Sequence, residues 1–596
     1  MSKKQTVNLS EFNITPDTGK ELAALFNKCL SDDKCKGATV YKFQNGTYRF
    51  YASEGIKEKY NVSDTEFFPY RTLAFLLKDK KDIIIDGDGS KFIFYGHCQP
   101  FTFDGCENVT LKNLSIDWEK PLSAEGTVVG RSNDYIDIKI DTNLFPCYVR
   151  DFCLYFEIGD GEESSLTYGK HTVYDASTMT VSPGFADNIM IRSAEHLGDD
   201  IFRLYFAGVV RENDPPKIGD VIVLRHGGRI HSGIFAQNCK NIEINNVVIH
   251  SSGGIGAVFQ YCENIKCDAL DFVPNVKVGR RVVSTHDEGI CVCSCRGSFE
   301  VLNSCYYGCQ DSSINVYDMG VSIIAILDQT TIQCSFVAGY DSYPIWVNEG
   351  QKVAFVDKTT LRTLCVREVV SFTSIDDRNF IIKFSEGIPR ELYDFGTQEM
   401  ALDNIDNCPS VHLHNNFFGS TRSRGVLVTT GEKVVIEKNV FESAGAAVLI
   451  SGDMNLWHKT GSCNDVTIAN NVFTDYCTLS EYFDSYAMIS ICPHVAKSVK
   501  GVYYHKNIKI ENNTFITPDT PVLYSFNTDN LSFVDNSIVR SSRRGVEHTI
   551  KNLITARNCN DLKIYDNSFT GNFKIDKMKI ENCTDVVTKS ECIKEK

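Results

Sequence analysis

Short runs in which apolar and polar residues alternate recur along this chain. Most begin with Cys and end with Asn next to an apolar residue, and they span 106–116, 239–249, 408–418, 432–441, 463–473, 505–515 and 559–569. The alternation, as in Val109 and Leu111, predicts half-buried strands rather than helices. One such strand cannot bury its apolar face alone, so units that recur every roughly 20–50 residues are expected to stack as a solenoid.

The fold class predicted from these runs is all-β, a right-handed parallel β-helix. An Asn stands at the end of each run, where the chain has to turn: Asn113, Asn246, Asn416, Asn439, Asn471, Asn513 and Asn567. Asn tolerates the left-handed backbone conformation, and equivalent Asn side chains on stacked coils can hydrogen-bond in a ladder. We therefore expect these Asn residues to have a structural role.

Two interruptions of the repeat divide the chain into five parts. Residues 1–123 hold an N-terminal cap and the first coils, with a helix predicted from Asp17 through Leu30. Residues 124–226 and 318–405 carry alternating strands without the repeat and are predicted to form inserted antiparallel β-barrels. Residues 227–317 and 406–596 return to coils. Because the two insertions flank the central coils, we expect them to wall a ligand site there.

The overall charge narrows the set of partners. The formal net charge is −15 and no basic stripe is present, which argues against a nucleic-acid partner.

The sequence contains no run of 18 or more apolar residues, so no membrane-spanning helix is predicted. Met1–Lys4 lead into polar sequence without the apolar core of a secretory signal. We expect a cytoplasmic protein as the sequence stands, or a secreted or periplasmic one if a signal has been removed.

Cysteine is frequent, with 23 residues, and several stand at the first position of a run: Cys106, Cys239, Cys262, Cys295, Cys408, Cys463 and Cys559. Because equivalent positions stack, these are interpreted as small buried packing residues of a reduced protein. A second group in the central coils, from Cys291 to Cys309, lacks the CxxC spacing of zinc knuckles. We therefore predict no metal and no cofactor.

Asp311 is the first candidate catalytic residue. In the segment 306–318, Ile314 and Val316 take the inward phase of a strand, so Asn315 faces outward and Asp311 stands at the strand's entrance. The alternative is that Asp311 only caps the strand, since turns favour Asp.

The second candidate lies in the segment 282–297. There Ile290 and Val292 set the inward phase, which places Asp287 outward and Glu288 inward unless a turn intervenes. The offset from Asp311, 311 − 287 = 24 residues, corresponds to about one coil. Neighbouring coils lie about 4.8 Å apart, so the carboxylates can reach the spacing that glycoside hydrolases use.

The chain resembles glycoside hydrolase family 110 over most of its length. The resemblance is carried by DGxGSxFIFxGxxQPF and CxNVTLKNxSIDW within 86–118, SSGGIGAVFQ at 251–260, STxD…CRG at 284–297, GxxDxxxNV at 308–316, and SRGVLVTT with LISGDxNxW within 423–457. It implies a β-helix with barrel insertions that acts as an inverting exo-α-galactosidase. The implied substrate is terminal α-1,3-linked galactose, including that of blood-group B and linear B structures.

Carried over by motif, Asp311 matches the first carboxylate of the family's paired Asp, whereas Ser312 stands where the second is expected. The upstream carboxylate matches Asp287 when counted from STxD and Glu288 when counted back from CRG, because this chain has one extra residue between them. Asp311, Asp287 and Glu288 are therefore the catalytic candidates, with the acid and base roles left open.

The motif around Trp457 also departs from the family, which often carries an acidic residue after this Trp. Here His458 and Lys459 follow. Polar side chains around an aromatic platform suit a sugar, and the substrate-binding candidates are Gln260, His286, Arg296, Asn315, Arg424, Asp453 and Trp457. Each has a structural alternative, such as pairing with a neighbouring acid or capping a turn.

The predicted function is removal of terminal α-linked galactose from an oligosaccharide or glycan. Two alternatives stay open: a related glycosidase with altered sugar specificity, or a carbohydrate-binding β-helix without catalysis, since Asp-Ser replaces Asp-Asp here. A uronate lyase or polygalacturonase would need basic residues or calcium for the substrate carboxylate, and the central coils supply few Lys. The oligomeric state is open, a homodimer included.

Overall fold

The computed structural model describes residues 5–19, 21–32, 35, 39–65, 68–184, 189–211, 214–337 and 345–588. Met1–Lys4, which were expected to lack the apolar core of a secretory signal, lie outside the described residues, as does Lys20 within the predicted helix. No helix in the described part is long and apolar enough to cross a membrane.

The predicted parallel β-helix is confirmed. Its larger sheet contains these strands: Thr6–Asn8, Val40–Lys42, Thr47–Tyr51, Lys81–Tyr95, Glu107–Trp118, Lys240–Ile249, Glu263–Phe272, Arg296–Leu302, Cys305–Tyr306, Ser410–His414, Phe417–Phe418, Val434–Glu437, Val440–Phe441, Val466–Ala469, Val472–Phe473, His505–Glu511, Thr514–Thr517, Thr528–Val534, Ser537–Arg540, Asn560–Tyr565, Ser568–Thr570 and Val586–Thr588. Within it, Ile242 pairs in parallel with both Val109 and Ile265. Corresponding apolar residues therefore stack from coil to coil.

The second sheet carries the functional region. Its strands are Ile56–Lys59, Tyr70–Lys78, Gln99–Asp104, Ile234–Gln237, Ala257–Gln260, Ile290–Cys293, Ile314–Met319, Val426–Val428, Val448–Ile450, Ile489–Ile491, Leu523–Phe526, Asn552–Arg557 and Asp576–Glu581, with the short strand Lys459–Thr460 antiparallel to Ile314–Met319. Ile290 pairs with Ile314 and Val292 with Val316. The segments that carry the acidic candidates are thus on adjacent coils, as the 24-residue offset predicts.

Aromatic side chains form a continuous stack inside the coils. The rings of Phe418, Phe441, Phe473 and Phe515 follow one another with centroid separations of 4.8, 5.0 and 4.6 Å. These separations match the roughly 4.8 Å spacing of neighbouring strands, so one side chain per coil fills the same place in the core.

A ladder of buried Asn side chains closes the turn beside this stack. Each Nδ2 donates to Oδ1 of the Asn on the next coil, at 3.0–3.1 Å, through Asn416, Asn439, Asn471, Asn513, Asn536 and Asn567. The left-handed backbone at these turns belongs to the preceding residue, for example Asn415 and Asn470. Asn113 and Asn246 differ, because they are left-handed themselves and bond to each other at 2.9 Å.

The described cysteines are free thiols, and most are buried. Cys106 and Cys239 stack on neighbouring coils, with the Cys106 N–H donating to Sγ of Cys239 at 3.3 Å, and Cys262 and Cys295 repeat the contact. Their role in the described structure is packing at equivalent positions, as the repeat predicts.

The first insertion forms an antiparallel sheet in the order Thr172–Tyr174, Val221–Arg225, Ser123–Arg131, Tyr135–Ile140, Ile201–Phe206 and Ile191–Gly198. A bridge between His171 and Ile189 connects its two ends, which gives the sheet a barrel-like form. The same insertion contains a smaller three-stranded sheet of Cys147–Arg150, Cys153–Gly159 and Glu162–Ser165, which follows Tyr135–Ile140 in the sequence.

The second insertion is a closed barrel of Val321–Ile326, Thr331–Ser335, Asn379–Phe384, Thr363–Ser374, Lys352–Asp357 and Met400–Asn404, with a short helix at Glu391–Phe395. The N-terminal helix runs over Leu22–Ser31, so it begins later than the predicted Asp17. Leu22 and Phe26 of this helix are buried in the core of the coils, which places it as a cap on their apolar interior.

Candidate active site

A cavity of about 740 Å³ lies over the central coils. Five parts of the chain line it: the N-terminal loop at Asp64, the first insertion at 167–170, the connection 225–229 back to the coils, the coils from 286 to 317, and the C-terminal coils from 422 to 494. The second insertion lines no part of it within the described residues, contrary to the prediction that both insertions form its walls. The barrel instead supports the loop behind the cavity, because Asn455 Nδ2 donates to the Lys358 carbonyl at 2.8 Å.

Glu288 and Asp311 line this cavity from the ends of two neighbouring turns. Glu288 precedes the strand Ile290–Cys293, and Asp311 precedes the strand Ile314–Met319 that pairs with it. Gly289 allows the close approach of these coils, because a Cβ there would lie 2.6 Å from the Ser313 carbonyl oxygen. The nearest carboxylate oxygens of Glu288 and Asp311 lie within 4.8 Å of each other.

The inward and outward assignment of Asp287 and Glu288 was wrong. Glu288 faces the cavity, whereas the side chain of Asp287 is fully buried and ion-paired with Arg225. Asp287 Oδ2 also contacts His286 Nδ1 at 2.7 Å. The strand begins only at Ile290, so the two-residue alternation of a strand does not extend back through the turn that holds these acids.

Arg229 is the electrostatic centre of the site. It lies in the connection from the first insertion back to the coils, and its guanidinium contacts Glu288, Asp64 at 3.2 Å, Asp287 at 3.6 Å and Asp311 at 3.6 Å. One delocalised cation therefore holds four carboxylates together, with a planar fork that suits several oxygens at once.

The two cavity carboxyls have opposite protonation preferences. Burial raises the pKa of Glu288 to about 8, and the negative charges of Asp311 and Asp64 add to the rise against the opposing charge of Arg229. Burial also disfavours ionised Asp311, but Arg229 together with two further arginines outweighs it and lowers its pKa. At neutral pH Glu288 can donate a proton while Asp311 is a carboxylate.

Five of the predicted substrate-binding residues line the cavity: His286, Asn315, Arg424, Asp453 and Trp457. Asp453 is largely occupied by its own loop, since its carboxylate accepts from the backbone N–H groups of residues 455–458. Trp457 is 40 % exposed and meets Phe483 edge-to-face. The two rings provide an apolar surface on which the C–H face of a sugar can pack.

Gln260 and Arg296 lie outside the cavity. Gln260 is buried under the N-terminal loop, where Oε1 accepts from the Ser63 N–H at 2.9 Å and Nε2 donates to the Asn61 carbonyl at 2.8 Å. Arg296 is exposed on the other sheet and pairs with Glu263 at 3.0 Å. The structure thus gives Gln260 a role in loop positioning and Arg296 a surface ion pair.

Sequence similarity to known proteins places this chain in a family. The chain is 33% identical over 589 residues to alpha-1,3-galactosidase B of Bacteroides thetaiotaomicron, covering 97% of this chain and 94% of that protein. The chain belongs to the family of the alpha-1,3-galactosidases. Alpha-1,3-galactosidase A of Bacteroides fragilis strain NCTC 9343 is 29% identical over 555 residues, with 90% and 88% of the two chains covered. No family model matches the chain.

Among solved structures, the surface adhesin PfbA of Streptococcus pneumoniae aligns with a TM-score of 0.40 at 11% identity, covering 97% of this chain and all of that chain. A family 28 exopolygalacturonase of Yersinia enterocolitica aligns with a TM-score of 0.34.

Several charged residues of this alpha-galactosidase family member were missed in the sequence. Asp64, Arg229 and Arg422 lie outside the strands, and Arg225 ends a strand whose residues are all buried, so periodicity gives no signal for them. A usable signal for two of them is RHGGRI at 225–230, where two arginines flank glycines at the point where the coils resume.

Proposed function

We propose that this protein is an exo-acting glycoside hydrolase of family 110 that removes terminal α-linked galactose with inversion, with Glu288 as general acid and Asp311 as general base. The names of its relatives indicate hydrolysis of α-galactosides. The finer assignments of sugar, linkage and stereochemistry are ours and rest on the family resemblance together with the cavity.

The observation that carries the proposal is the pair of cavity carboxyls with opposite protonation preferences. Hydrolysis of a glycoside needs one carboxyl to protonate the leaving oxygen and a carboxylate to activate water. Glu288 and Asp311 provide these two states on adjacent coils, and both line the same cavity. Ser312, which replaces the second Asp of the family motif, is buried and does not line the cavity. In the proposed mechanism its position is not required for either proton transfer.

The spacing of the pair sets a condition on inversion. Inverting enzymes separate the two carboxyls by roughly 6.5–9.5 Å to leave room for water, whereas the nearest oxygens here lie within 4.8 Å. Arg229 contacts both groups. For inversion, the sugar and the attacking water must enter between them, so at least one carboxyl must shift from its present contact with Arg229 when substrate binds.

The test is a panel of α- and β-linked terminal sugars with the first-formed anomer followed by NMR. We expect release of galactose from α-1,3-linked galactosides, initially as the β-anomer. Initial α-galactose would refute inversion while leaving hydrolysis intact. Release of another sugar alone would refute galactose as the substrate.

Asp311→Asn is the matched variant, because it keeps the size of the side chain and removes the base. We expect it to lower kcat/KM by roughly 10²- to 10⁴-fold. Binding of α-galactosides by the unaltered protein without any turnover would favour the non-catalytic carbohydrate-binding alternative.

A further inference from the structure

Asp64 reaches the cavity from outside the coils that carry Glu288 and Asp311. Its Oδ2 accepts from Lys459 Nζ at 2.7 Å and from Asn315 Nδ2 at 3.4 Å, and it pairs with Arg229 at 3.2 Å. Within the described part of the chain, each of these contacts is made by Oδ2. The other carboxylate oxygen, Oδ1, therefore keeps its capacity to accept a hydrogen bond from a ligand.

Two neighbours of Asp64 also have unused hydrogen-bonding capacity. Asn315 lines the cavity and is only 2% exposed. Its side-chain oxygen is buried and has no hydrogen-bond partner in the described structure. Lys459 Nζ stands 4.3 Å from the centre of the Tyr317 ring and bonds to Asp64, which leaves further N–H donors of its ammonium group. A buried polar atom without a partner is costly unless a ligand supplies one.

The loop that carries Asp64 is held in place before any ligand binds. Gln260 bonds to the backbone of Asn61 and Ser63 at 2.8 and 2.9 Å, and Ser63 Oγ bonds to the Tyr317 hydroxyl at 2.9 Å. These contacts tie the loop to two coils of the central region, one on each side of the strand Ile290–Cys293. Asp64 is therefore preorganised, so little ordering is required when a ligand binds.

We propose that Asp64, Asn315 and Lys459 form a hydroxyl-binding subsite that determines which sugar is accepted next to Glu288 and Asp311. The subsite combines two acceptor oxygens with an ammonium donor, and neighbouring sugar hydroxyls both donate and accept. Arg229 Nη2 contacts Asp64 as well as Glu288, so the subsite and the proposed acid serve the same sugar ring. The inference rests on the proposed function, since it assigns the specificity of that site.

Lys459 supplies the donor of this subsite. The short strand Lys459–Thr460 presents its ammonium group to the cavity, paired with Asp64 at 2.7 Å. The position of this donor beside two acceptors limits which hydroxyl pattern fits, because a site built for one pattern leaves buried polar atoms unpaired with another.

The test compares the hydrolysis and binding of methyl α-D-galactoside with those of its 2-deoxy, 3-deoxy, 4-deoxy and 6-deoxy analogues. The variants are Asp64→Asn and Lys459→Met, and Lys352→Met on the exposed face of the barrel is the charge-matched control. We expect each subsite variant to lower kcat/KM and affinity for the galactoside by roughly 10- to 100-fold. For an analogue that lacks the hydroxyl contacted by the substituted residue, the same variant should lower kcat/KM and affinity less than about threefold. The control should match the unaltered protein with every substrate.

Equal losses with the galactoside and all four analogues would overturn the subsite and leave Asp64 and Lys459 a structural ion pair. Unchanged hydrolysis and binding in both variants would also overturn it. If the unaltered protein binds methyl α-D-galactoside without hydrolysing it, the proposed function fails, and the subsite is then judged by the binding data alone. If it neither binds nor hydrolyses the galactoside, both proposals fail.

Discussion

Glu288→Gln separates the acid step from the rest of catalysis. With a pKa of about 8, Glu288 is protonated in about nine-tenths of molecules at pH 7 and about one-hundredth at pH 10. If this proton is transferred to the leaving oxygen, kcat/KM of the unaltered protein should fall roughly 90-fold over that range. The acidic limb should lie below pH 4, because the pKa of Asp311 is lowered from its usual value of 3.8.

The variant is measured with two leaving groups. A disaccharide needs a proton on the departing oxygen, so Glu288→Gln should lower kcat/KM for it by roughly 10²- to 10⁴-fold. The leaving group of a 2,4-dinitrophenyl galactoside departs as the stable 2,4-dinitrophenolate anion without a proton, so hydrolysis of this substrate should be much less affected. The alkaline limb should be absent from the pH profile of the variant.

Asp311→Asn serves as the comparison, because water must be activated whichever group departs. Asp311→Asn should lower kcat/KM for the disaccharide and for the dinitrophenyl galactoside to a similar extent. The assignment of Glu288 as acid would be refuted if Glu288→Gln lowered kcat/KM equally for both substrates. It would also be refuted if the limb near pH 8 persisted in the pH profile of that variant.

Three further perturbations probe other parts of the structure. Asn471→Ala removes a middle member of the ladder and its bonds to buried donors and acceptors on the two adjoining coils, so the free energy of unfolding should fall by roughly 2–5 kcal/mol. The exposed Asn572→Ala should change it by less than about 0.5 kcal/mol. Equal effects of the two variants in denaturant titrations would contradict the ladder's role. Asp287→Ala leaves the buried Arg225 without the carboxylate of its ion pair, so the free energy of unfolding should fall by about 3–5 kcal/mol. An unchanged unfolding midpoint in denaturant would show that the pair is not required for stability. Gln260→Ala frees the loop of Asp64 and should raise KM roughly 10-fold with a smaller effect on kcat; a lower kcat at constant KM would argue against a positioning role.

The parallel coils were predictable because one pattern is repeated many times. Val466 and Ile468 alternate as a strand should, and their partners on adjacent coils are apolar as well. Burial of such pairs determines the register, since a one-residue slip would expose every one of them. Asn113 and Asn246 are left-handed as expected, but from Asn416 onward the left-handed residue was placed one position too late. The sequence shows which Asn recurs but not whether it turns the chain or bonds to the next coil.

The candidate site was predictable only where it shares this repeat. Asp311 and Asn315 were found from the phase of the strand that follows or contains them. Asp287 and Glu288 were exchanged, because a tight turn has no two-residue period. Asp64 and Arg229 gave no periodic signal, since they come from a terminal loop and a connection that reach the site only through tertiary contacts.

The bond between Arg225 and Asp287 ties catalysis to the completion of folding. Arg225 ends the last strand of the first insertion, whereas Asp287 belongs to a coil more than sixty positions later in the chain. Until that insertion has docked, Asp287 lacks one of its two arginine partners, since Arg229 supplies only the other. The buried environment of the acids in the central turns should accordingly be complete only when the first insertion is packed against the central coils.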